Sequence, residues 1–74
     1  MLGNPEISIV IPVYNEEESL SQLFKELYPV MENLQRSFEI IFINDGSRDK
    51  SFAMLYDFQK EHEKTVRVID LNGN

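Results

Sequence analysis

Two stretches of this 74-residue sequence carry its chemistry: "PVYNEEE", Pro12 to Glu18, and "NDGSRD", Asn44 to Asp49. Each closes an apolar run, and together they offer an aromatic ring and a dense set of hydrogen-bond acceptors. Carboxylates repel phosphate. They accept hydrogen bonds from sugar hydroxyls and from the N–H of a base, and such charge-assisted bonds are the stronger kind. A tyrosine can stack on a base. Gathered in one crevice, these residue types suit the nucleoside end of a nucleotide. Its phosphates need a cation or basic groups from elsewhere. The sequence contains neither G-x-G-x-x-G nor G-x-x-x-x-G-K-[ST], so the phosphate-cradling loops of dinucleotide and P-loop sites are missing.

Each stretch also has a plainer local reading. Asn15 can cap a helix, with Glu18 completing a capping box and Glu16 and Glu17 favoured by the helix dipole. Asp45-Gly46 is a turn signal, and Ser47 or Asp49 can cap a second helix. Tyr14 can be a half-buried packing residue. His62, within the polar "QKEHEK", reads as a solvated helix residue. Nothing in the sequence pairs a nucleophile with a base, spaces metal ligands or forms a basic stripe, so no catalytic and no metal-binding residue is assigned.

The elements that position these stretches follow from periodicity. "ISIVIPV" (Ile7 to Val13), "FEIIFIN" (Phe38 to Asn44) and "VRVIDL" (Val66 to Leu71) are short, rich in Ile, Val and Phe, and end in polar residues, so they predict strands. Ile40 to Ile43 are apolar without alternation, the pattern of a strand covered on both faces. Leu20, Leu23, Phe24, Leu27, Met31 and Leu34 form one helical stripe, in which Pro29 predicts a kink or break near Tyr28. A second helix is expected from about Asp49 to His62, burying Phe52, Leu55, Tyr56 and Phe58.

The order β-α-β-α-β implies an α/β fold with three parallel strands joined by right-handed crossovers, in order 3-2-1. Both helices then lie on one face and leave the other bare, to be covered by more chain or by a second copy through self-association. Ligands of open α/β sheets bind outside the carboxyl ends of the strands. Adjacent tips therefore place Tyr14, Asn15, Glu16, Asn44 and Asp45 in one crevice.

Bulk properties bound the reading. The length allows one small domain, and the composition (42% hydrophobic, 27% charged) is that of a globular chain. A formal charge of −6 argues against nucleic acid or an anionic membrane surface as the main partner. The lack of cysteine removes any disulfide framework or thiolate metal site. No signal peptide or membrane-spanning run is evident, so a cytoplasmic chain is expected.

The joint pattern, "IPVYNEEESL" followed some thirty residues later by "EIIFINDGSRDKS" and then "VRVIDL", resembles the start of family 2 glycosyltransferases. The closest resemblance is to the branch that glycosylates dolichol or undecaprenyl phosphate, and it runs from Ile7 to about Asn72. It implies an inverting enzyme of the GT-A fold, with the chain as a Rossmann-like half of that domain. Such an enzyme uses a nucleotide-diphosphate sugar and a lipid-phosphate or glycan acceptor, with a role in cell-envelope polysaccharide. It further implies that Pro12, Val13 and Tyr14 line the base pocket, that Glu16 accepts from the ribose hydroxyls and that Asp45 accepts from the base N–H. Gly46 and Ser47 then shape the loop. Asn44 departs from the family's frequent Asp-Asp-Gly-Ser.

The family's metal-binding Asp-x-Asp, for Mg or Mn, lies downstream of the third strand, as do the catalytic aspartate, the acceptor-binding part and the membrane segments. None of these is found here. Residues 1–74 are thus expected to form a single truncated nucleotide-sugar-binding subdomain that binds nucleotide weakly and is not catalytic, its parent lying at the cytoplasmic face of the membrane. The alternative is a non-catalytic nucleotide-binding or self-associating α/β module. A phospho-accepting receiver domain also alternates strands and helices, but here no phospho-acceptor follows Leu71 and no later strand carries a lysine.

Overall fold

The computed structural model describes residues 4–71. Along this span run β1 (Ile7–Val13), α1 (Glu17–Asn33), β2 (Phe38–Asn44), α2 (Ser51–Glu61) and β3 (Val66–Asp70). The strands form one parallel sheet in the order β1-β2-β3. This is the expected α/β arrangement read from its other edge. In register, Val13 lies opposite Asn44, and Asn44 opposite Asp70, so the three carboxyl ends finish side by side.

The alternation of the strands decides where the core sits. Val13, Ile40, Phe42 and Val66 point to the helical side and are at most 2% exposed. Leu20, Phe24 and Met31 of α1 and Leu55 of α2 close over them. Fully burying each such side chain contributes about 1.5–3 kcal/mol. On the opposite face Val10 is 55% and Ile69 47% exposed, while Ile41 and Ile43 between them are partly exposed. The apolar middle strand is therefore covered on one face, and the bare face expected from the connectivity is present.

Three expectations need correction. Helix α1 runs unbroken across Pro29. The missing amide costs one backbone bond, but Leu20 and Phe24 before the proline and Met31 after it pack onto the same core and hold both halves in place. The buried stripe of α1 is narrower than the periodicity implied, since Leu23 and Leu34 are 40% and 48% exposed. On α2, likewise, Phe52 and Tyr56 stay outside the core and meet each other edge-on at 4.9 Å. With one three-stranded sheet to lean on, each helix buries a single narrow face.

His62 is the third case. It is partly buried, its ring 4.2 Å from that of Tyr28 and 5.4 Å from that of Phe24. Its backbone carbonyl accepts from the amides of Thr65 and Val66, turning the chain from α2 into β3. Tyr28 hydroxyl bonds Thr65 Oγ1 at 2.7 Å across the same corner. The polar neighbours in sequence concealed a packing role.

Candidate functional site

The tip of β1 and the tip of β2 are bound to each other by a network that crosses between loops. Asp45 N donates to Val13 O at 2.9 Å, carrying the parallel ladder one step past the strands. Asn15 N donates to Ser47 Oγ, and Arg48 N donates to Asn15 Oδ1 at 2.8 Å. Glu16 N donates to Ser51 Oγ at 2.8 Å, Glu17 N to Asp49 Oδ2, and Lys50 N returns to Glu17 Oε1.

Local backbone geometry permits this closeness. Asn15 takes φ 49° and Gly46 φ 78°. Asparagine tolerates the left-handed region better than most side chains, and glycine enters it without a Cβ penalty. Asn44 is 3% exposed and turned inward: its Oδ1 accepts from Ser47 N and its backbone carbonyl from Leu71 N. It therefore shapes the second loop from beneath and does not line the crevice.

The capping scheme differs from the expected one. The residue ahead of α1 is Glu16, and its side chain makes no capping bond. Asn15 spends its side chain on Arg48, and its amide, which a capping box with Glu18 requires, is taken by Ser47. The amides of Glu16 and Glu17, at the start of α1, are met by Ser51, the first residue of α2, and by Asp49 of the loop before it. Asp49 also accepts from Ser51 N at 2.9 Å, so it serves the start of both helices. Burial raises the Asp49 pKa, but the hydrogen bonds from Ser51 and from the Glu17 amide outweigh it and hold the carboxyl below its ordinary 3.8.

The proposed ligand-facing residues fall at one edge. Tyr14 is 57% exposed, and Glu16 and Asp45 are also exposed; Pro12 is exposed, while Gly46 and Ser47 are partly so. Val13 has its side chain in the core and its carbonyl committed to Asp45, so it supports the pocket from below. Glu16 Oε2 accepts from Ser19 Oγ at 3.1 Å, which fixes the carboxylate beside the first turn of α1. A shallow depression here is lined by Asn15, Glu16, Glu17, Glu18, Ser19 and Asp49.

Asp49 and Ser51 are the site residues that sequence reasoning did not single out. Asp49 reads as a local helix cap and Ser51 carries no reading of its own, and their partners at α1 lie more than thirty positions away. Among the described residues no group of three His, Cys, Asp or Glu side chains could hold an ion. Nor is any described helix long and apolar enough to cross a membrane.

Comparison with known proteins places this sequence in a family. Residues 8–74 match the family described as glycosyl transferase family 2. An undecaprenyl-phosphate 4-deoxy-4-formamido-L-arabinose transferase of Pseudomonas fluorescens is 44% identical over 68 residues, 92% of this chain and 20% of that protein. A glycosyltransferase of Synechocystis sp., itself uncharacterized, is 42% identical over 69 residues, 93% of this chain and 21% of that protein. A similar one from Bacillus subtilis is 38% identical over 72 residues, with the same coverage. The chain thus spans about a fifth of the length of the curated relatives it matches. With the match covering nearly all of it, and both tip motifs inside the matched span, the chain belongs to glycosyl transferase family 2.

Proposed function

We propose that residues 1–74 are the nucleotide-sugar-binding part of an inverting glycosyltransferase. Its reaction moves a sugar from a nucleotide diphosphate to a polyprenyl phosphate or glycan acceptor. The observation that carries this reading is the juxtaposition of Tyr14, Glu16 and Asp45, all exposed on interlocked loops at the carboxyl ends of adjacent parallel strands. Tyr14 packs on the base, Asp45 accepts from its N–H, and Glu16 accepts from the ribose hydroxyls. Pro12, Val13, Gly46 and Ser47 form the floor and walls. Membership of the family and the relatives with undecaprenyl-phosphate acceptors support the choice of reaction.

A divalent cation, Mg or Mn, neutralises the departing diphosphate in such a transfer. Among the described residues no group of three His, Cys, Asp or Glu side chains could hold it, and we assign the ion and the base that activates the acceptor to other parts of the enzyme. The residues here bind and orient the donor. The enzyme works at the cytoplasmic face of the membrane, where the lipid-phosphate acceptor is reached.

Titrating uridine and guanosine diphosphates into isotope-labelled chain is expected to shift the amides of Tyr14, Glu16 and Asp45. No shift at millimolar ligand refutes binding by this chain. In the full-length enzyme, an Asp45→Ala variant with unchanged donor binding and transfer refutes the role given to Asp45.

The bare sheet face favours a second reading, in which two copies associate through Val10, Ile41, Ile43 and Ile69. A well-folded monomer at high concentration in sedimentation counts against it.

A further inference from the structure

We propose that Ser51 and Asp49 are positioning residues for the Glu16 carboxylate: from the start of α2 and the loop before it they hold the backbone of Glu16, the residue at the N-cap position of α1, and so set where its carboxylate meets a ligand. The inference rests on the reading of Glu16 as the acceptor of ribose hydroxyls.

A helix start leaves amides without intrahelical partners, and the side chain of the N-cap residue ordinarily takes one of them. At α1 that residue is Glu16, and its carboxylate makes no capping bond. The neighbouring amides are instead met from across the crevice: Ser51 Oγ takes the Glu16 amide at 2.8 Å and Asp49 Oδ2 takes the Glu17 amide at 3.2 Å, which pins the backbone on which the carboxylate stands. Ser51 is fully buried and lies one helical turn before the fully buried Leu55. That position faces the core, where a small apolar residue packs equally well. A hydroxyl there is explained by the amide it meets.

Asp49 holds Ser51 in turn through Ser51 N, and Lys50 N closes the circle on Glu17 Oε1. The backbone of Glu16 is therefore fixed to the loop that bears Asp45. While these bonds are closed they set the separation between the proposed ribose side of the pocket and its base side. No ligand is placed on Ser51 or Asp49 themselves.

The test compares affinities of the full-length protein for uridine diphosphate and its 2′,3′-dideoxy analogue. The ratio isolates the ribose hydroxyls. In the wild type the ratio favours the ribonucleotide, and Glu16→Gln removes the preference. Ser51→Ala and Asp49→Asn are each expected to lower the ratio about three- to tenfold, the equivalent of one hydrogen bond, and Ser51→Thr to retain it. In a Glu16→Gln background neither substitution has a further effect on the ratio. A merely structural role lowers thermal stability and weakens both ligands equally, leaving the ratio intact.

Loss of the preference in Glu16→Gln with a wild-type ratio in Ser51→Ala and Asp49→Asn overturns the positioning role while the pocket stands. A wild type that does not distinguish the two ligands overturns the role of Glu16 and the inference together. Should Ser51→Ala fail to fold, Asp49→Asn decides, because Asn keeps the volume and exchanges one acceptor oxygen for a donor facing an amide.

Discussion

The stack between Phe24 and Phe58 joins the two helices, and its strength can be isolated from the burial around it. The rings lie 4.2 Å apart at the centroids with planes within 6°. Phe24 also meets Tyr28, Phe42 and His62, and is 8% exposed. At roughly 0.05–0.15 kcal/mol per residue, a chain of 74 residues has about 4–11 kcal/mol of stability. Phe24→Ala removes about 3–5 kcal/mol of that, enough to unfold a chain near the lower bound. Leucine is the better probe, because it keeps most of the apolar bulk and removes the ring. Phe24→Leu, Phe58→Leu and the double variant, compared by denaturant unfolding, should show a coupling of about 0.5–1.5 kcal/mol beyond additivity. The exposed pair Phe52 and Tyr56, analysed the same way, should give the smaller value. A coupling near zero for Phe24 and Phe58 refutes the stack as a distinct contribution and leaves area alone as the source of stability.

Other expectations are quickly stated. Gln35 follows the end of α1 with φ 55°, so Gln35→Gly should stabilise by about 0.5–1 kcal/mol in thermal unfolding, and Gln35→Val should destabilise. Pro29→Ala restores the amide missing from α1; after the lost rigidity of the unfolded chain is subtracted, a gain of about 2 kcal/mol is expected, read as a higher denaturant midpoint. An unchanged midpoint means that the helix already accommodates proline without cost. Asp49, with its folded pKa depressed, stabilises above the ordinary carboxylate range and loses that contribution as pH falls through its folded value. Stability measured from about pH 5 down to about pH 2 should therefore fall less steeply in Asp49→Asn than in the wild type.

The strands were legible because their signal is local: Ile7 to Val13 and Phe38 to Asn44 match the observed β1 and β2 at both ends, and the third differs by a single residue. The bare face was legible too, since two right-handed crossovers along one direction of a sheet leave no alternative. Helix faces were harder. Leu23, Leu34, Phe52 and Tyr56 satisfy helical spacing, yet periodicity does not tell how much surface lies opposite. The bonds across the crevice were hidden for another reason: Asn15 and Asp49 each have a plausible local role, and distant partners became reachable only once the strand tips were side by side.

The aromatic cluster has a consequence for how the chain tolerates change. Its rings reach Phe38 at the start of β2, and Tyr28 is tied to Thr65 ahead of β3, at the amino end of the sheet. The carboxyl end is secured instead by hydrogen bonds that backbone amides donate to polar side chains. Dispersion thus anchors one end and directional bonds the other. Under native exchange the tip amides should open in fluctuations that leave the rings closed, so that the loops sample alternatives while the fold persists. If Tyr14, Glu16 and Asp45 bear the ligand as proposed, a sequence drifting under selection for a different one can rewrite them without revisiting Phe24, Phe42 and Phe58. The fold and its specificity would then be heritable separately.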